Sequence, residues 1–177
     1  MSYSEYFAAY QASPAHPDFL DAILKEPTEF AGSSRSGCFQ KAMRELLDAV
    51  PGHERLRFMS HQSATLEVKA HGGDMAFTHI EPASCELVLS QLDSLLAYCS
   101  SHPEALTGIW AGYFGYPVEE MRRAIAEMKV CSHPNRDVHH GEDGESPFFA
   151  LSTLVTLRAT IARVCLAGGT LVYYTWR

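Results

Sequence analysis

Hydrophobic and polar positions follow three regimes along this chain, and each predicts a different kind of element. At the start, Tyr3, Phe7 and Tyr10 are spaced as on one helix face. They follow Ser2 and Glu5, a Ser-x-x-Glu pair able to satisfy free amide groups, so a helix is expected to about Ala12. A second helix is expected over Pro17–Lys25, ended by Pro27, and a Gly/Ser loop over Ala31–Gly37. The clearest amphipathic pattern is Cys38–Val50, where Phe39, Met43, Leu46 and Leu47 share a face and Pro51-Gly52 stops the run.

Between Arg55 and Glu81 the period shortens from about 3.6 to 2. Three strands are read there: Arg55–His61, Ala64–Ala70 and Asp74–Ile80, the last two joined at Gly72-Gly73. Helical spacing returns over Ser84–Ser100, with Cys85, Val88, Leu92, Leu95, Leu96 and Cys99 as its apolar stripe. A helix from near Pro103 leads into Gly108–Pro117, which sets Trp110, Tyr113, Phe114 and Tyr116 among three glycines. Pro117 suits the first turn of a helix over Val118–Lys129, with Met121, Ile125 and Met128 inward.

The third regime is nearly continuous apolarity from Pro147 to Ala167, entered through Ser146 as helix cap and left through Gly168. It predicts a long central helix. Its β-branched residues leave a strand over Leu151–Leu157 open. Thr170–Trp176 reads as a terminal strand. These segments predict one α+β domain spanning residues 1–177. Its sheet has about four antiparallel strands, the three-strand meander of 55–80 plus the C-terminal strand 170–176, packed against several helices.

Composition narrows the class. A 46% hydrophobic share is ordinary for a globular chain and the 20% charged share is low. The net charge of −7 disfavours nucleic acid, whose binding rests on neutralising phosphates, and favours a basic partner. Acid is concentrated early and in residues 131–147, whereas residues 148–177 carry three Arg and no acid. Five scattered cysteines without a C-x-x-C pair fit a reducing cytoplasm better than a disulfide framework. Met1–Glu5 lacks the basic and apolar regions of a signal peptide, and no run is long enough to span a membrane.

Two stretches carry candidate chemistry. Cys131, His133, His139 and His140 fall in one polar loop, the right atoms for zinc and hence for a metal-dependent enzyme, although their spacing matches no zinc-ligand pattern. Adjacent acids Glu142, Asp143 and Glu145, with Trp110, Tyr113 and Tyr116, instead suit docking of a basic protein, since Trp and Tyr dominate binding hot spots. His61, His71 and His79 sit at strand ends, where imidazole acid–base work lacks a carboxylate partner. Cys38, near a helix start, is the one cysteine placed to be reactive. Nucleophile elbows, zinc-helix motifs and dinucleotide fingerprints are absent, and Glu119-Glu120 reads as solvated surface. The expected function is therefore a non-enzymatic cytoplasmic binding protein, of the acidic inhibitor or immunity type, docking a basic partner. A metal-dependent enzyme or a small-ligand carrier, with a pocket between sheet and aromatic stretch, stands as the alternative.

Overall fold

The computed structural model describes residues 4–10, 21, 29–35, 38–60, 66–70, 73–80, 82–130, 146–165 and 167–176. In chain order these form β1 (Ser4–Tyr10), β2 (Glu29–Arg35), α1 (Cys38–Ala49), a 3-10 turn (Glu54–Met59), β3 (Leu66–Ala70) and β4 (Gly73–Ile80). They continue with α2 (Cys85–Ser101), α3 (Pro103–Ile109), α4 (Val118–Val130), α5 (Pro147–Thr160), a π-helical turn (Ile161–Cys165) and β5 (Thr170–Trp176).

The described residues are mostly helical, with more than twice as many in helices as in strands. The helices also supply nearly all of the described core. The stripes read from the sequence are the ones buried: Phe39, Met43, Leu46 and Leu47 on α1, Cys85, Val88, Leu92, Leu95 and Cys99 on α2, and Met121, Ile125 and Met128 on α4. Helix α5 is apolar nearly all round, so it takes a central place; from Pro147 to Leu154 only Phe148 keeps partial exposure. The Ser146 side-chain oxygen caps it by accepting the Phe149 amide at 3.1 Å. Gly168, at φ 87°, makes the left-handed turn into β5 that a side chain would resist.

The four-stranded sheet drawn from the 55–80 meander is not what forms, and the expected fold class is corrected accordingly. The strand order is β2-β1-β5-β4-β3, with each neighbouring pair antiparallel. The expected N-terminal helix is instead β1, which is paired on both sides, with Tyr6 opposite Ser33 of β2 and Tyr174 of β5. The expected Gly/Ser loop supplies β2. Ladders from distant segments satisfy the backbone of Ser4–Tyr10 and outweigh a local helical spacing that aromatic, β-favouring residues support only weakly. The helix expected over 17–25 lies outside the described residues, except that Asp21 is helical.

The first expected meander strand, Arg55–His61, is the 3-10 turn over Glu54–Met59. Leu56 and Met59 lie three apart and are both fully buried, which a three-residue turn allows and an alternating strand does not. The His53 carbonyl accepts the Leu56 amide at 3.0 Å, and Arg57 reaches back to the Asp48 carboxylate and to the Leu47 carbonyl of α1. The two remaining meander strands do form a hairpin, with Ala70 opposite Gly73, and β4 pairs with β5 as Ile80 opposite Leu171. Leu151–Leu157 is helix, and the long helix leaves α-geometry after Thr160. Among the described residues no helix is long and apolar enough to cross a membrane.

Candidate functional site

The corner between α3 and α4 is built around one tryptophan. Trp110 closes α3, and its carbonyl collects the amides of Tyr113, Phe114 and Gly115 at 3.0, 2.8 and 3.4 Å. Its indole N–H donates to the Ala42 carbonyl of α1 at 2.9 Å, and the ring is only 1% exposed. Phe114 stands edge-on to it, with ring centres 5.3 Å apart, and Tyr113 is edge-on to Phe114 at 4.8 Å. A ring so enclosed, with its one polar atom already bonded, is core. Trp110 is therefore corrected from a docking residue to the wedge that fixes α3 on α1.

Tyr113 is half-buried against the core, and Tyr116 is the ring of the stretch that reaches solvent, at 37% exposure. Gly115 has φ 65°, which explains one glycine of the stretch. The other two have room: a Cβ on Gly108 or Gly112 would meet nothing within 4 Å. No close backbone approach therefore requires a glycine at either position.

Beside Tyr116 lies an open cleft of about 300 Å³, lined by Tyr116, Glu120, Arg123, Ala124, Glu127, Ser146, Pro147 and Phe148. One wall is the outward face of α4, where positions 120, 123 and 127 stack one turn apart. The other is the first turn of α5. Arg123 binds Glu120 through Nη2, and its Nε lies 3.9 Å from Glu127 Oε1, beyond hydrogen-bonding distance. The cleft thus sets two carboxylates against one guanidinium between two aromatic rings. Three- and four-residue spacing along α4 sets Arg123 beside Glu120 and Glu127, a local pattern. Phe148 and Ser146 face them only because α5 packs on α4.

The adjacent Arg122 does not neutralise this cleft. It donates to Glu119 at 2.6 Å and to Glu104 of α3. The Glu104 carboxyl is held below its ordinary value first by its own backbone N–H and then by Arg122. Farther along α5, Arg158 grips Asp93 of α2 with two bonds, Nε–Oδ1 at 2.8 Å and Nη2–Oδ2 at 3.1 Å. That hydrogen bonding holds the Asp93 carboxyl below its ordinary range.

The other sequence candidates fare differently. Cys131, His133, His139, His140, Glu142, Asp143 and Glu145 lie outside the described residues, as do His61 and His71. Among the described residues no group of three or more His, Cys, Asp or Glu is placed to hold a metal. Cys38 is 3% exposed, so its thiol is shielded rather than presented. Burial pushes the Cys99 thiol up to about 12, which makes it a small hydrophobe and not a nucleophile. The rings of His53 and His102 each donate Nδ1–H to a backbone carbonyl, Val50 at 3.2 Å and Tyr98 at 3.0 Å, and His102 stacks on Tyr98. No known family model, no curated protein and no solved structure matches this chain.

Proposed function

We propose that this chain is a non-enzymatic binding protein of the cytoplasm that docks a basic protein partner, in the manner of an acidic inhibitor or immunity protein. The observation that carries this reading is the cleft beside Tyr116, where Glu120 and Glu127 outnumber Arg123 and Phe148 supplies the facing ring. Exposed aromatic area next to uncompensated carboxylate is what a Lys- or Arg-bearing surface pairs with, and such pairing governs on-rate and specificity. The net charge of −7 adds a long-range field of the same sign. Glu142, Asp143 and Glu145 come just before Ser146 in the chain and extend the acidic character of this region in sequence. Buried Cys38, Cys85 and Cys99, small apolar side chains of the core, suit a reducing compartment.

The test is capture from the cells that express the protein, read against salt and charge reversal. A basic protein is expected to be retained at low ionic strength and released as salt rises. The Glu120→Lys, Glu127→Lys double variant and the Glu142→Lys, Asp143→Lys, Glu145→Lys triple variant are each expected to weaken its retention. Retention that neither salt nor either variant alters contradicts the reading. A small-ligand carrier is the second reading, because 300 Å³ sits at the lower end of ligand-pocket volumes, roughly 300–1,000 Å³. A metabolite that raises the unfolding temperature in a thermal-shift screen favours it over docking.

A further inference from the structure

We infer that the α4–α5 cleft takes a lysine side chain of the partner, and that Arg123 is the resident cation this lysine competes with; the inference rests on the docking reading above. The lining is divided between apolar and acidic groups. Exposed Tyr116 and partly exposed Phe148 offer surface for a hydrocarbon stem, while Glu120 and Glu127 stand ready for a charged tip. Lysine is the side chain with that division, four methylenes ending in a compact ammonium.

Charge complementarity selects a cation over an anion. The cleft holds two carboxylates and one guanidinium, an excess of one negative charge. The N-terminus of α5 offsets part of it with about half a positive unit. The sign stays negative, and Arg122 cannot reverse it because it is held between Glu119 and Glu104.

Arg123 divides unequally between its two acids. It is hydrogen-bonded to Glu120, but its Nε is 3.9 Å from Glu127, whose side chain is 52% exposed. Glu127 therefore keeps acceptor capacity that the resident guanidinium leaves unused. An incoming ammonium can bond Glu127 at once and share Glu120 with Arg123. The like-charge repulsion from Arg123 sets the limit on affinity, which makes that residue an internal competitor. Removing it leaves both carboxylates of the cleft without a side-chain cation of their own.

The experiment is a titration of the isotope-labelled protein with acetylated, amidated trilysine, followed by backbone amide shifts at low salt, with triglutamate as control. The amides of Tyr116, Glu120, Ala124, Glu127 and Phe148 are expected to shift together and saturate with trilysine alone. Arg123→Gln is expected to tighten binding by roughly two- to fivefold and Glu127→Gln to weaken it by a similar factor, the range set by exposed charge pairs. Both substituted positions, Arg123 and Glu127, are exposed, and the amide spectrum itself reports that each variant is folded. Arg123→Gln that weakens binding, or leaves it unchanged, overturns the competitor role. Saturable shifts elsewhere with the cleft amides unmoved overturn the cleft and leave docking standing. Trilysine that binds nowhere on the protein overturns both.

Discussion

Trp110 and Gly115 show how single residues decide what the aromatic stretch is for. Three amides converge on the Trp110 carbonyl, and its indole is bonded to Ala42, so the stretch is pinned from the inside. Gly115 turns the chain outward at φ 65° and so delivers Tyr116 to the cleft. Gly115→Ala should therefore lose about 1 kcal/mol, the cost of a left-handed residue with a Cβ. Gly112→Ala, with open space around its Cβ, should stay within about 0.5 kcal/mol of the wild type. Denaturant unfolding of the two variants checks this, and equal losses would show that the turn conformation is not what separates them. The hydroxyls of Thr153 and Thr160 give the converse case. Both are buried on α5 without a hydrogen-bond partner. Thr153→Val and Thr160→Val remove a desolvated, unbonded group while keeping the shape, so each should raise the denaturation midpoint, by up to about 1 kcal/mol in stability. A drop of that size in either would mean that its hydroxyl is bonded after all.

Helices α2 and α5 are tied by hydrophobic packing and by the two-bond Arg158–Asp93 clamp, whose partners are half-exposed. Exposed pairs are screened, so Asp93→Asn should cost about 0.2–1 kcal/mol at neutral pH. The sign with pH follows from the direction of the shift. The folded carboxyl sits below 3.8, so the clamp's contribution is fully present above that value and is lost as pH falls through the folded value. The stability difference between wild type and Asp93→Asn should therefore shrink once the pH drops below 3.8 and vanish only below the folded value, as pH-dependent unfolding curves can show. A difference that persists there means the variant acts through packing. At this scale the sequence was readable where contacts are local. The stripes of α1, α2 and α4, the Ser146 cap and the Gly168 turn were visible because three- and four-residue spacings carry them. Strands β1 and β2 were misread because their hydrogen bonds come from segments far away in the chain. The run 55–61 was misread because Leu56 and Met59 satisfy a three-residue period that alternation obscured.

Among the residues whose burial is described, helices supply most of the core, and the five-stranded sheet is assembled from both chain ends and the central hairpin. The candidate site follows the same division between local and distant. Tyr116 could be nominated from the sequence, whereas Glu120 and Glu127 looked like ordinary solvated surface until α5 set Phe148 across from them. Arg pairs at the margins (Arg57 with Asp48, Arg122 with Glu104, Arg158 with Asp93) consume much of the nearby positive charge within the fold itself. The net charge of −7 therefore acts on partners from a surface on which Arg57, Arg122, Arg123 and Arg158 are already paired with acids. The central claim is that a basic partner seats at the cleft beside Tyr116. It is tested most directly by placing a photo-cross-linking phenylalanine analogue at position 116 and irradiating cells that express the protein. The account predicts a cross-link to a protein of net positive charge, lost when Glu120→Lys and Glu127→Lys are introduced together. A cross-linked partner of net negative charge, or one whose yield that double variant leaves unchanged, would contradict it.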